Sequence, residues 1–253
     1  MSGLSELPAA LRQALQQAQP LPRLEQAVSL VEGYRLQGEA LAQAGVALGG
    51  WKVALSGAPA QARLGLSEPV YGWLSADMQR APGSLLPLAR LIAPKLEVEV
   101  AFELGRDIAP GEHDDVSLLA AVSRMAPAFE IADCRWQGWR FDAGAFLADD
   151  AAAGLYCLGP WQRFDAQACR RIECRLMHDD AVLGSAEAGE IPEQNLLWLL
   201  RRLLADGQPL RAGQVILSGA LLAPLDIQMG EYRVRMMGVE LALGFGQANQ
   251  EGA

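Results

Sequence analysis

Histidine is almost missing from this chain of 253 residues: there are two, His113 and His178, both in polar stretches and expected at the surface. No order of serine, histidine and aspartate suggests a nucleophilic triad. Cysteine is scarce as well. Cys134, Cys157, Cys169 and Cys174 contain no Cys-x-x-Cys pair, and no histidine lies at zinc-ligand spacing from them. They read as buried or half-buried free thiols in a reducing compartment. Positive charge is in deficit, with 21 Lys and Arg against 30 Asp and Glu, a net charge of −9. That balance excludes a nucleic-acid surface and an anionic membrane. It does not exclude small acidic substrates, because one local cation reverses the sign of a pocket. No apolar stretch is long enough to span a bilayer, since the run from Leu196 is broken by Arg201 and Arg202. Residues 1–15 lack a basic segment followed by an apolar one, so no secretory signal is expected and the compartment is expected to be the cytoplasm. There is no internal repeat. Gly244-Phe245-Gly246 does not open a helix, so it is not a dinucleotide loop.

What is present is a strand with two unlike faces. In Lys95-Leu96-Glu97-Val98-Glu99-Val100-Ala101-Phe102-Glu103-Leu104-Gly105, every even position is apolar and three of the four inner odd positions carry carboxylates. Successive side chains on a strand point to opposite sides, so this segment has a core face and an acidic face. Glu97 and Glu99 then stand roughly 7 Å apart along the strand. Such a pair is either the solvated side of an antiparallel sheet or a pair of oxygen ligands for a hard divalent cation.

Around it, helices are expected over 8–19, 24–44, 114–124 and 193–206, with Gly45 capping the second and Gly207 ending the fourth. Strands are expected over 49–57 and 126–133, as two strands turning at Asp179-Asp180, and over 214–218 and 232–243. Residues 247–253 read as a frayed tail. Lys52 lies in the short apolar strand Trp51-Lys52-Val53-Ala54-Leu55. It either reaches solvent from a sheet edge or turns into a pocket, where burial would lower its pKa and its charge would attract a carboxylate. Asp77 belongs to an aromatic, turn-rich segment of the kind that lines pockets. Glu130 sits between Phe129 and Ile131 and needs a partner, which is either Arg135 or Arg140 or a cation shared with Glu97 and Glu99.

The ordered set of Gly50-Trp51-Lys52-Val53-Ala54-Leu55, Tyr71-Gly72-Trp73-Leu74-Ser75-Ala76-Asp77-Met78, Leu96 to Asp107, Ala126 to Arg135 and Leu210 to Gly219 resembles the 2-hydroxypentadienoate (2-keto-4-pentenoate) hydratase and 4-oxalocrotonate decarboxylase family. That family belongs to the fumarylacetoacetate hydrolase superfamily. The resemblance runs from about Leu24 to Phe245. It implies an α+β fold, a mixed, antiparallel-rich β-roll over 49–253 behind a small helical region over 1–48. It implies magnesium or manganese on Glu97, Glu99 and Glu130, catalytic roles for Lys52 and Asp77, and substrate contacts at Leu55, Ser56 and Ser218. The implied activity is hydration of a 2-hydroxy-2,4-dienoate in aromatic meta-cleavage catabolism. The alternatives are decarboxylation of a 2-oxo acid and a non-catalytic binding or assembly role. The implied partners are a small 2-oxo or 2-hydroxy acid, further copies of the chain, and a sister decarboxylase or hydratase. This chain departs from the family pattern at Ala152, Ala220 and Leu222, where hydroxyl side chains are expected near substrate.

Overall fold

The computed structural model describes residues 4–189 and 191–247, so the expected tail lies outside the described residues apart from Gln247. The helices are α1 (Leu7–Gln17), α2 (Leu30–Ala44), α3 (Ala58–Arg63), α4 (Asp115–Leu119), α5 (Ala143–Ala148), α6 (Ala166–Arg170) and α7 (Ile191–Ala205). The strands are β1 (Leu48–Ala54), β2 (Val70–Ser75), β3 (Gln79–Arg80), β4 (Leu85–Pro87), β5 (Pro94–Leu104), β6 (Val122–Asp133), β7 (Leu155–Leu158), β8 (Gln162–Arg163), β9 (Glu173–His178), β10 (Ala181–Glu187), β11 (Val215–Leu217), β12 (Leu225–Asp226), β13 (Gly230–Met236) and β14 (Val239–Gly246). Among the described residues no helix is long and apolar enough to cross a membrane.

The larger sheet runs β2-β1-β11-β5-β6-β7-β3, with β12 beside β5 and β8 beside β6. Strand β3 follows β2 after one tight turn, Ala76–Met78. β2 pairs with β1 while β3 pairs with β7, so the same stretch of chain reaches both ends of the path and the sheet curls into a half-barrel. The smaller sheet runs β10-β9-β13-β14-β4. Most pairs are antiparallel. The parallel ones are β1 with β11, β3 with β7 and β14 with β4. The expected mixed, antiparallel-rich α+β roll is the fold observed.

The two faces of β5 decide where everything else sits. Leu96, Val98, Val100, Phe102 and Leu104 are all at most 1% exposed. They pack with Trp51, Phe129 and Ile216 from the same sheet, with Leu176, Val234 and Leu243 from the smaller sheet, and with Leu196, Leu199, Leu200 and Leu203 of α7. Burying each such side chain stabilises the fold by about 1.5–3 kcal/mol, so this core holds the two sheets and α7 together. The opposite face carries Lys52, Glu97, Glu99, Ala101, Ala126, Ala128, Glu130, Tyr156 and Leu217, which neighbour one another in the ladder. Helices α1 and α2 share a separate core with α5, formed by Leu7, Leu11, Leu36, Trp136, Phe146 and Leu147.

Three sequence expectations change. The helix over 114–124 is only α4, Asp115–Leu119, although Asp114 does cap it by accepting from Ser117 N–H at 2.8 Å. The remainder is drawn into β6 because Leu104 pairs with Val122 and Gly105 N–H donates to Ala121 O. Long-range ladder bonds here override local helix propensity. The helix over 24–44 begins only at Leu30, where Ser29 accepts from Glu32 N–H. This is the Ser-x-x-Glu start signal, and upstream Val28 N–H is tied to Asp142 instead. The histidines are half-buried rather than free on the surface. His178 stacks on Tyr232 at 4.4 Å, and its Nε2 lies 3.0 Å from Met229 O. All four cysteines are buried and unbridged, as expected.

Candidate metal and substrate site

Antiparallel register sets Glu97 of β5 directly opposite Glu130 of β6, and Glu99 is the next residue on the same face. One carboxylate oxygen from each of the three lies within 4.8 Å of the others. Glu99 and Glu130 are fully buried and Glu97 is half-buried. A solvated acidic face is therefore not what this part of β5 provides. Only the far end of that face behaves so, where Glu103 is held by Arg124 at 2.6 Å.

Lys52, itself 2% exposed, enters from β1 and places Nζ 2.9 Å from Glu130 Oε1. The partner of Glu130 is thus Lys52, not Arg135 or Arg140. Glu99 Oε2 accepts from Gly219 N–H at 2.7 Å. Glu99 Oε1 and Glu130 Oε2 are buried without a hydrogen-bond partner. Three carboxylates facing one ammonium leave two negative charges uncompensated when all are ionised. An oxygen-only donor set, orphaned acceptors and this charge deficit together fit a hard divalent cation, whose bonds to oxygen span about 2.0–2.6 Å.

The titration behaviour follows from the crowding. Burial, then repulsion from Glu130, pushes Glu97 up to about 7. Burial, with Glu130 and Glu97, holds Glu99 well above the usual carboxylate range. Of the two readings of Lys52, the one that turns it into a pocket is met, and that reading carries a lowered pKa. Burial does act in that direction, but Glu130, Glu97 and Glu99 outweigh it, and the ammonium is held above its ordinary value. Lys52 is a fixed cation in this site.

Asp77 lies in the tight turn between β2 and β3, exposed, with its Oδ1 bound by the Ser75 hydroxyl. It is not part of the carboxylate cluster. The link is Tyr156, which neighbours Glu130 in the ladder and whose hydroxyl is raised by burial and by the charge of Asp77. Sequence reasoning did not single out Tyr156. Leu55 follows β1 with φ 55°, and both it and Ser56 are half-buried. Ser56 packs against Gly219: a Cβ on that glycine would lie 2.9 Å from Ser56 Oγ. The Ser218 hydroxyl is engaged by the backbone, accepting from Val100 N–H at 3.1 Å and donating to Gly219 O at 3.2 Å.

The open edge of β2, beside Lys52, is sealed by residues 149–153. Asp150, Ala151 and Ala152 are three successive non-glycine residues with φ between 49° and 58°. Asp150 Oδ1 accepts from Trp73 N–H at 2.8 Å, and its backbone carbonyl comes so close to β2 that a Cβ on Gly72 would sit 2.6 Å away. Burial holds the Asp150 carboxyl well above its usual range. The turn is held from behind by Arg135, which is ion-paired to Asp149 and donates to Asp133 O at 2.9 Å and Ala153 O at 2.6 Å. Ala152, one of the positions lacking a hydroxyl, is buried in this turn. Leu222 packs on Gly184 of β10.

No protein-family model matches the chain. It is 36% identical over 202 residues to the TodF product hydratase of Pseudomonas putida F1, covering 78% of this chain and 75% of that one. It is 31% identical over 233 residues to a 2-keto-4-pentenoate hydratase of Paraburkholderia xenovorans LB400, covering 88% and 86%. It is 37% identical over 186 residues to the 2-hydroxyhexa-2,4-dienoate hydratase of Comamonas testosteroni, covering 70% and 69%. Among solved structures, 4-oxalocrotonate decarboxylase from Pseudomonas putida G7, complexed with magnesium and adipate, superposes with a TM-score of 0.88 over 96% of this chain and 97% of that one, at 20% identity. The 2-hydroxyhepta-2,4-diene-1,7-dioate isomerase from Mycobacterium marinum gives 0.58 over 81% and 78%, at 15% identity. At these identities the structural matches speak for the fold.

Proposed function

Because the chain belongs to the 2-keto-4-pentenoate hydratase family, we propose that it is a divalent-metal-dependent hydratase that adds water to a 2-hydroxy-2,4-dienoate. The observation that carries this reading is the buried convergence of Glu97, Glu99 and Glu130 around Lys52, with two carboxylate oxygens left without partners. Magnesium or manganese suits that oxygen set. Bound there, such an ion supplies Lewis acidity that polarises a 2-oxo acid at its C2 oxygen.

The chain's own groups account for the rest. Glu130 keeps Lys52 charged, so Lys52 draws in the substrate carboxylate and steadies the negative charge that develops at C2. The 2-hydroxydienoate first ketonises, losing its hydroxyl proton and gaining one at C5. Asp77 Oδ2, left free by the Ser75 hydroxyl on Oδ1, then takes a proton from water as the water oxygen adds at C4, and a proton returns to C3. Tyr156 keeps its proton and closes the site between Glu130 and Asp77. Leu55, Ser56 and Ser218 frame the substrate end of the site. Ala152 is buried with the helical core and Leu222 packs on Gly184, so of the three missing hydroxyls only that at Ala220, next to Gly219, bears on the substrate, where it favours a less polar tail than the family pattern implies.

The test is the ultraviolet absorbance of 2-hydroxypenta-2,4-dienoate, followed with magnesium and again with a chelator. Chelator-sensitive loss is expected. Turnover confined to a dicarboxylic 2-oxo acid would replace the hydratase by a decarboxylase. Cation binding without turnover of either substrate would replace it by a non-catalytic role.

A pH dependence follows from the same cluster. The folded-state pKa of Glu97 lies above its ordinary value of 4.5, at about 7. In that window the metal-free folded chain holds a proton that the unfolded chain has lost, so stability falls as pH rises through it. A cation removes the penalty. Magnesium is therefore expected to raise the melting temperature more at about pH 8 than at about pH 5. Equal shifts at both would count against a cation on Glu97.

A further inference from the structure

We infer that Asn195 of α7 is a positioning residue for Glu99, acting through the one peptide unit that joins Ser218 to Gly219; the inference rests on the cation-site reading above. Asn195 is buried in α7 and donates from Nδ2 to Ser218 O at 2.7 Å. The N–H of the same peptide unit, on Gly219, donates to Glu99 Oε2 at 2.7 Å. A peptide unit is planar and its C=O and N–H point in opposite directions, so gripping the carbonyl fixes where the N–H aims. A hydrogen bond accepted at the carbonyl also polarises the amide and strengthens the bond its N–H gives.

Ser218 is tied to Val100 before this peptide unit, and the Ser218 hydroxyl donates to Gly219 O after it, but the carbonyl of the unit itself is gripped by Asn195. Gly219 adopts φ 87°, a conformation in which glycine has unusual freedom. A side chain cannot be added to restrain it, since a Cβ there would lie 2.9 Å from Ser56 Oγ and 3.3 Å from Asn195 Nδ2. Glu99 Oε1 has no hydrogen-bond partner, so the Gly219 N–H on Oε2 is the backbone group that orients this carboxylate, beside its contact with the Glu97 side chain. Asn195 is held in turn by the leucines that follow it, with Leu196, Leu199 and Leu200 fully buried in the main core. Rigidity thus passes from the hydrophobic core, through one amide side chain and one peptide plane, to a cation ligand. Groups that orient metal ligands in this way typically change affinity about 10–100-fold when removed.

The experiment is calorimetric titration of the full chain with magnesium or manganese chloride, for wild type, Asn195→Ala, Asn195→Leu and Leu203→Ala, each with a melting curve. Asn195→Leu keeps most of the volume and loses the donor, so it serves if the alanine variant folds poorly. Leu203, buried about two turns further along α7, is not among the residues that hold Asn195, so Leu203→Ala weakens the same helix without touching the peptide clamp. The expected result is affinity about 10–100-fold weaker in both Asn195 variants and unchanged in Leu203→Ala. Asn195 variants that bind within a factor of about three of wild type would overturn the inference, as would an equal loss in Leu203→Ala. If wild type itself binds neither cation, the cation-site reading fails first and the clamp fails with it.

Discussion

Glu99→Gln is expected to abolish divalent-cation binding and to lower dienoate turnover by roughly 10²–10⁴-fold, the equivalent of losing several kcal/mol of Lewis-acid stabilisation. The sign of the stability change separates a ligand from a structural carboxylate. Glu99 is buried, and its carboxyl is held well above the usual range by burial and by Glu130 and Glu97. Ionising it in the metal-free chain is therefore unfavourable, and glutamine removes that penalty while its carbonyl still accepts from Gly219 N–H. The metal-free variant should melt no lower than wild type at neutral pH and above, while the rise in melting temperature on adding magnesium disappears. Melting curves with magnesium and with chelator, beside the absorbance assay, read both effects. A variant that melts lower and keeps its turnover would make Glu99 a structural residue.

Arg135→Ala is expected to give a large loss of stability. Arg135 is 5% exposed and Asp149 is 1% exposed. Removing the guanidinium leaves Asp149 buried without its cation, and the carbonyls of Asp133 and Ala153 without their donor. Breaking a buried pair in this way costs about 3–5 kcal/mol, which lowers the melting temperature by roughly 6–20 °C in a chain of this size. Arg135→Lys should not restore it, because an ammonium cannot reproduce the planar fork that reaches Asp149 Oδ1 and the carbonyls of Asp133, Asp149 and Ala153. Arg140 is exposed, and Arg140→Ala should stay within about 0.5 kcal/mol of wild type. A comparable loss in both variants would mean that the Arg135 cage does not carry the effect.

The parts of the site that were legible in the sequence are those written at short range. A period of two puts Glu97 and Glu99 on one face of β5, and no tertiary information is needed to see it. The pairing of Glu130 was not legible, because it depends on the register of β6 against β5 and on the entry of β1 from far along the chain. Basic residues near Glu130 in sequence were the natural guess, yet Arg135 turns to Asp149 and the cation beside Glu130 is Lys52. The pocket reading of Lys52 carries a lowered pKa for the same reason: burial is legible from an apolar strand, but three facing carboxylates are not. The helix over 114–124 failed where Val122 is captured by β5. Tyr156 lies in a four-residue strand and Asn195 in the middle of an amphipathic helix. Neither position carries a local signal, since the function of each is set by what the fold places opposite it.

The place of β11 in the half-barrel has a consequence for how the protein is made. Strand β11 lies between β1 and β5, pairing with Gly50, Trp51 and Lys52 on one side and with Ala101, Phe102 and Glu103 on the other. Until residues 215–217 leave the ribosome, the nascent chain holds two strands whose facing edges have no partner, and Lys52 has no fixed place beside the carboxylates. Unfilled edges of this kind invite pairing with other chains, and long-range pairings of this kind close slowly. The incomplete sheet is the interval in which a chaperone would matter most. The three carboxylates lie on β5 and β6, which pair without β11, so a cation can engage them early; what closing the sheet adds is Lys52 and, two residues past β11, the Gly219 N–H, which give the site its final geometry.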